Sequence, residues 1–177
     1  MPDNIFNTNP GETIARELLV AYLNTGTHES PVWSPVGNRV EDSSEEMDWS
    51  EESSQDILGK TRTTMKKPII TQTFDPWDLD GSDEAQQKVW DLAVRQQNAQ
   101  ALANQDMLIV HFYAGENAFA ERYESCSIKP SGLGGEGGGN IAMPVDVTYG
   151  GTRTVGTAAK AANGSITFTP DAAGVSV

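Results

Sequence analysis

One stretch of this chain carries a helical period, and the rest is written in short apolar runs and alternations, which confines the fold to sheets with a single helix. From Asp83 onward Ala85, Val89, Leu92 and Ala93 recur at helical spacing, Trp90 and Val94 widen the stripe, and Gln87, Lys88, Asp91, Arg95, Gln96 and Asn98 make a polar face. Asp83 is a good N-cap and Gln86 completes a capping box, so the spacing predicts a helix over 83–102. The apolar run of 17–23 is short enough for a strand and is closed by Asn24, Thr25 and Gly26, although a helix from Thr13 also fits. Pro35 and Gly37 make 32–40 an edge strand or a bulge. The β-branched 69–74 is a strand. The run 107–113 is apolar on both faces apart from His111 and belongs in the centre of a packed sheet, with a more amphipathic strand at 119–128. Ile141, Met143, Val145, Val147 and Tyr149 alternate with smaller or polar residues, the period of a half-buried strand with one wet face. Asn163 and Gly164 supply a turn before Ile166 and Phe168, so 158–177 is a small terminal hairpin or a loosely held tail. Strands, one helix, then strands again predict a mainly β protein, an antiparallel β-sandwich or barrel flanked by one α-helix and not a doubly wound sheet.

A length of 177 residues suits one domain with one core plus a tail or long loop. A formal charge of -13 argues against binding to nucleic acid or an anionic membrane surface, since both need clustered Lys and Arg. Cys126 is the one cysteine, so an intrachain disulfide and a multi-thiolate metal site are excluded. The first residues lack a basic segment followed by an apolar run, and no stretch approaches a membrane span, so synthesis and folding in a host cytoplasm are expected.

The residue patterns that could carry chemistry fall short of it. Gly132, Gly134 and Gly137 match a dinucleotide fingerprint literally, but they lead into a strand rather than opening a helix. Asp75, Asp78, Asp80 and Asp83 crowd ahead of the helix, yet an EF-hand register with Gly81 sixth begins on Pro76. Those acids suit the positive end of a helix. His28 and His111 have no metal-ligand spacing, and His111 reads as a polar residue tolerated in a strand. Cys126, between Ser125 and Ser127, reads as packing. Asn163, Gly164 and Ser165 spell a glycosylation acceptor that has no meaning without secretion. Trp33, Trp49, Trp77 and Trp90 suit core or interface positions better than a sugar platform. No catalytic, cofactor or metal residue is assigned, and the expected class is a non-enzyme with no cofactor.

The segment 42–67 is the exception. Between Glu41 and Asp56 eight side chains are acidic and none is basic, after which Lys60, Arg62, Lys66 and Lys67 follow with no acid among them. With Trp49, Ile57, Leu58 and Met65 spaced along it, such a segment can dock head to tail on a copy of itself, because each end supplies what the other lacks. The alternative is a solvated hairpin or disordered loop whose charges serve solubility. Contact candidates are Glu45, Glu46, Asp48, Trp49, Ile57, Leu58, Met65, Lys66 and Lys67, together with Ile5 and Phe6, the two anchors of an extended N-terminal arm.

At this point the chain resembles a known family. The phrases ARELLVAYLNTG, VGNRVEDSS, SSQDILGKTRTT, KKPIITQTFDPWDLDGSDEAQ, MLIVHFYAG, SGLGGEGGG and VDVTYGG, in that order over 15–157, are similar to the major tail tube proteins of long-tailed, siphovirus-like phages and prophages. The resemblance implies a ring-forming sandwich of two sheets with one helix over 15–157, an N-terminal arm over 1–14, a long loop over 41–67 that bridges subunits and rings, and a C-terminal extension over 158–177. It implies a virion protein whose rings, usually hexameric, stack into a tube for DNA ejection. Its partners would be further copies, a tape-measure protein in the lumen, and tail terminator and distal tail proteins, with no membrane binding by the subunit. A tube or ring protein of a contractile tail or a type VI-like secretion machine is the alternative within that fold, and an acidic DNA mimic is the alternative outside it.

Overall fold

The computed structural model describes residues 5–172. In chain order its strands are β1 (Leu19–Asn24), β2 (Trp33–Val36), β3 (Glu45–Asp48), β4 (Glu52–Gln55), β5 (Thr61–Thr64), β6 (Ile69–Phe74), β7 (Gln105–His111), β8 (Ala118–Pro130), β9 (Val145–Tyr149), β10 (Arg153–Lys160) and β11 (Ile166–Pro170). Every pairing among them is antiparallel. The fold is mainly β, one curled antiparallel sheet system with a single helical segment beside it.

The 13-residue β8 organises the whole. Its first half pairs with β7 on one side and β10 on the other, and its last residues, Ser127 to Pro130, pair with β9. One layer therefore runs β2-β1-β7-β8-β10-β11 and the other runs β8-β9-β6-β3. Where β8 passes from β10 to β9, the turn after β9 folds tightly onto it: Ser125 N–H donates to the Gly150 carbonyl at 3.1 Å. Gly151 has φ +77° there, and a Cβ on it would lie 2.7 Å from the Ser125 nitrogen, so only glycine fits.

Period-two burial sorts side chains onto two clusters. Ala21, Leu23, Met107 and Ile109 face the main core, where they meet Ile70, Phe74, Val145, Val147 and Tyr149 of the second layer. Tyr22, Leu108, Val110 and Ala120 face the other way and pack with Trp33, Ala158 and Ile166. β7 is buried on both faces, which is why it reads as a continuous apolar run.

The helical segment closes the main core. Helix α1 (Glu84–Trp90) buries Ala85 and Val89 against Trp77, and Asp83 accepts from the Gln86 N–H at 3.1 Å, as a capping residue should. Gln86 does not complete a capping box. Its buried amide instead accepts from Asp80 N–H at 2.7 Å and donates to the Asp78 carbonyl at 2.6 Å, satisfying a turn whose backbone groups have no strand partner. Nor does one regular α-helix reach 102. After a π-helical turn (Asp91–Arg95) the chain breaks at Gln97, φ +49°, and restarts as α2 (Ala99–Leu102), with Asn98 accepting from Ala101 N–H.

Three strands begin elsewhere than expected. The run 17–23 opens with a 3₁₀ turn (Arg16–Leu18), because Arg16 turns back to donate to the carbonyls of Leu19 and Ser43, and β1 is displaced to 19–24. In 141–149 the ladder starts only at Val145: Pro144 has no N–H, Ile141 and Met143 bond to Leu79 and Trp77, and Ala142 bonds to Gly134. The stretch 32–40 is extended only over β2, an edge strand with Pro35 on its exposed side. Beyond 158 the chain is a hairpin: β10 starts at Arg153, β11 returns along it, and Ala158 and Ile166 are buried. Expectations for residues 1–4 and 173–177 lie outside the described residues.

Candidate assembly surface

The charged segment folds into a hairpin that stands apart from both layers. Ser53, Ser54, Thr61, Thr63 and Thr64 pair β4 with β5, a composition suited to a wholly exposed ladder. Asp56 ties the turn, its carboxylate accepting from Leu58 N–H and Lys60 N–H at 2.9 Å each, while Gly59 takes φ +76°. Among the described residues every hydrogen bond and ion pair made by 50–66 closes within 48–66, including Lys66 N–H to the Trp49 carbonyl and Lys66 to Glu52 at 3.9 Å. Ile57 is fully exposed and Leu58 is 79% exposed at the tip; Met65, Trp49 and Met47 follow towards the base. A two-stranded hairpin of this kind gains little from its own fold.

The acids of β3 divide. β3 is the edge of its layer, paired only to β6, and Glu46 and Asp48 project into solvent. Glu45 is half-buried with its Oε1 enclosed and without a hydrogen-bond partner. Burial pushes its carboxyl pKa up; the charge of Glu121 adds to this, and His111 and Arg16 oppose it. Lys66 and Lys67 lie exposed at the hairpin base.

The N-terminal arm is fastened by its backbone. Asn7 N–H donates to Tyr113 O and Gly115 N–H donates to Ile5 O, both at 2.9 Å, and the Asn7 side chain donates to Phe112 O. Phe6 packs on Tyr113 with ring centroids 5.6 Å apart, while Ile5 stays 74% exposed.

Sequence reasoning missed a polar cluster at the edge of the main core. Glu121 on β8 and His111 on β7 are diagonal cross-strand neighbours with Nε2 and Oε2 2.9 Å apart. Arg153 of β10 donates to the other Glu121 oxygen at 2.7 Å, Tyr123 reaches the same oxygen at 3.3 Å, and the Tyr113 hydroxyl meets His111 Nδ1 at 2.9 Å. Burial by itself raises the Glu121 carboxyl, but His111 and Arg153 outweigh it and hold the pKa below the ordinary value. The available signal was that two polar residues share one face of adjacent strands. A second, half-buried ion pair joins Arg122 to Asp106 at 2.6 Å, with Asn24 donating to the same carboxylate.

The remaining sequence candidates are engaged in structure. Asp80 accepts from Ser82 and pairs with Arg39 at 3.1 Å, Asp83 caps α1, and the glycine-rich loop bridges to Ala142. Burial raises the Cys126 thiol pKa to about 12. Among the described residues no three His, Cys, Asp or Glu gather as a metal site, and no helix is long and apolar enough to cross a membrane. A cleft of about 1110 Å³ lies where β1 and β2 approach the turn between β10 and β11, its wall including Val32, Asn163 and Ser165.

The sequence matches no family model and no curated protein. The fold is similar, at 9% identity and a TM-score of 0.46, to a chain of the sheath-tube complex of an extracellular contractile injection system, PVC, in its extended state, over 84% of this chain and 94% of that one. It is similar at 12% identity and 0.46 to the anti-feeding prophage cap, the AFP tube terminating cap, over 89% and 99%. A PVC sheath/tube terminator follows at 8% and 0.45, over 83% and 99%.

Proposed function

We propose that this chain is a structural subunit of a phage tail tube, which closes with further copies into rings and stacks those rings into a conduit for DNA.

 Rings of six are the form that the sequence resemblance favours. The observation that carries the proposal is the β4–β5 hairpin, which satisfies its own hydrogen bonds and leaves Ile57 and Leu58 in water, an arrangement that contributes nothing to its own core and suits a contact with a neighbour. The edge strand β3 and the exposed Ile5 supply further contact surface on the same subunit. A charge of -13 per copy supports the conduit reading, because a wall of repeated acidic subunits repels phosphate and lets a duplex slide. The role is structural rather than catalytic. In this reading a tape-measure protein fills the lumen during assembly, terminator and distal tail proteins close the ends, and the product is part of a virion tail assembled in the host cytoplasm.

Negative-stain microscopy and sedimentation of the purified chain test the proposal. Rings or tubes with an open lumen are the expected result. A monomer at every concentration that displaces DNA from a nucleic-acid enzyme would replace the proposal with a DNA mimic, and tubes that bind an outer sheath protein would move the subunit to a contractile machine.

A further inference from the structure

We propose that the tip of the β4–β5 hairpin of one copy docks in the cleft beside β1 and β2 of a second copy, an inference that rests on the assembly reading above. The tip is an apolar knob flanked by cations: Ile57 and Leu58 project into solvent, and neither the Lys60 nor the Arg62 side chain has a hydrogen bond or ion pair among the described residues. Asp56, the acid nearest the tip, is turned to the Leu58 and Lys60 N–H groups. The cleft has the complementary character. Leu19, Val32 and Val40 give it an apolar wall, and Glu17, Glu41 and Glu84 bring negative charge. Glu17 and Glu41 are exposed and unpaired among the described residues, whereas the one cation of the lining, Arg16, is bound to the carbonyls of Ser43 and Leu19.

The other grooves fit the tip less well: in the one along α1, about 520 Å³, Asp80 and Asp91 are already paired with Arg39 and Arg95. The groove beside α2, about 590 Å³, is also apolar, but its only charged lining residue is Lys129, which would repel Lys60 and Arg62. The cleft holds no residue between 44 and 71, so a chain's own hairpin leaves it open, and a hairpin reaching roughly 17 Å from its base can enter that of a neighbour. Repeated from copy to copy, a tip-to-cleft contact is heterologous and extends or closes an assembly according to its rotation.

The test uses full-length protein. Leu58→Cys and Val32→Cys variants, mixed and mildly oxidised, are expected to form a covalent dimer, since Cys126 is buried and does not compete. Either variant alone should form little; strong cross-linking of Leu58→Cys by itself would mean tip-to-tip contact and would overturn the proposal. Independently, Lys60→Glu with Arg62→Glu should raise the concentration needed for assembly by about tenfold or more at low salt, and adding Glu17→Lys with Glu41→Lys should bring it back to within about threefold. Assembly by the parent protein with neither cross-link nor rescue overturns the docking site and leaves the assembly reading standing. A parent protein that never assembles overturns both.

Discussion

Glu45 occupies a place that suits a neutral side chain better than a carboxylate: one oxygen is enclosed without a donor, and Glu121 lies close by. Its folded pKa is raised, so its ionised form burdens the fold at neutral pH, and that burden is relieved as pH falls through the folded value. Glu45→Gln is therefore expected to raise the melting temperature at pH 7 by about 2–4 °C, the equivalent of about 1 kcal/mol, with the gain shrinking in acid. A lower melting temperature at pH 7 would mean that Arg16 and His111 hold the charge favourably. Glu121 runs in the opposite direction. Its folded pKa is depressed, so its contribution is fully present above the unfolded value and is lost as pH falls through the folded one. On β9, Val147 is 1% exposed and Asp146 lies on the other face, where Thr73 donates to it at 2.9 Å. Val147→Asp should cost several kcal/mol and abolish soluble folded protein, while Asp146→Ser should melt within a few degrees of the parent. Equal soluble yields would show that the strand faces the other way.

Among the elements, the hairpin offers the cleanest separation of folding from assembly. Replacing residues 51–65 by a short Gly and Ser linker removes no residue of either core cluster and no hydrogen bond to either layer. The melting temperature should stay within a few degrees while rings or tubes disappear from micrographs; tubes of normal length would remove the hairpin from assembly. The elements also differ in how plainly the sequence announces them. β7 and β9 are legible because burial stamps a pattern on them, continuous in one and alternating in the other. β4 and β5 carry no such stamp: all their residues are exposed, so nothing in Ser and Thr repeats distinguishes a free ladder from a loop. The break at Gln97 was hidden for another reason, since a left-handed residue without a glycine leaves no local mark. β10 was obscured by small residues that the fold needs, for a Cβ on Gly156 would lie 2.1 Å from the Thr169 carbonyl oxygen. For the candidate contact surface, the exposure of Ile57 and Leu58 was legible from their isolation among charges. The raised carboxyl pKa of Glu45 was not, because burial and the charge of Glu121, far along the chain, reach it only through the fold.

For the whole molecule, net charge sets the expected behaviour towards nucleic acid. The four cations of 60–67 are the densest basic stretch, and they lie on or beside a hairpin whose facing strand and flank are acidic. Duplex DNA should bind negligibly at physiological salt; an affinity tighter than roughly micromolar that weakens steeply with added salt would contradict a conduit. The path of β8 through both layers has a mechanical consequence. A pull along that strand is shared at once by its bonds to β7, β10 and β9, which must slide together before any one of them yields. A pull that separates β4 from β5 opens one rung at a time. In single-molecule stretching, handles at Pro130 and Lys160, at opposite ends of the β8–β10 ladder so that the two strands are drawn past each other, should meet a much higher rupture force than handles at the directly paired Glu52 and Thr64. A wall made of such subunits would be stiff along its strands and compliant at its joints, which is what a tube that bends without leaking requires.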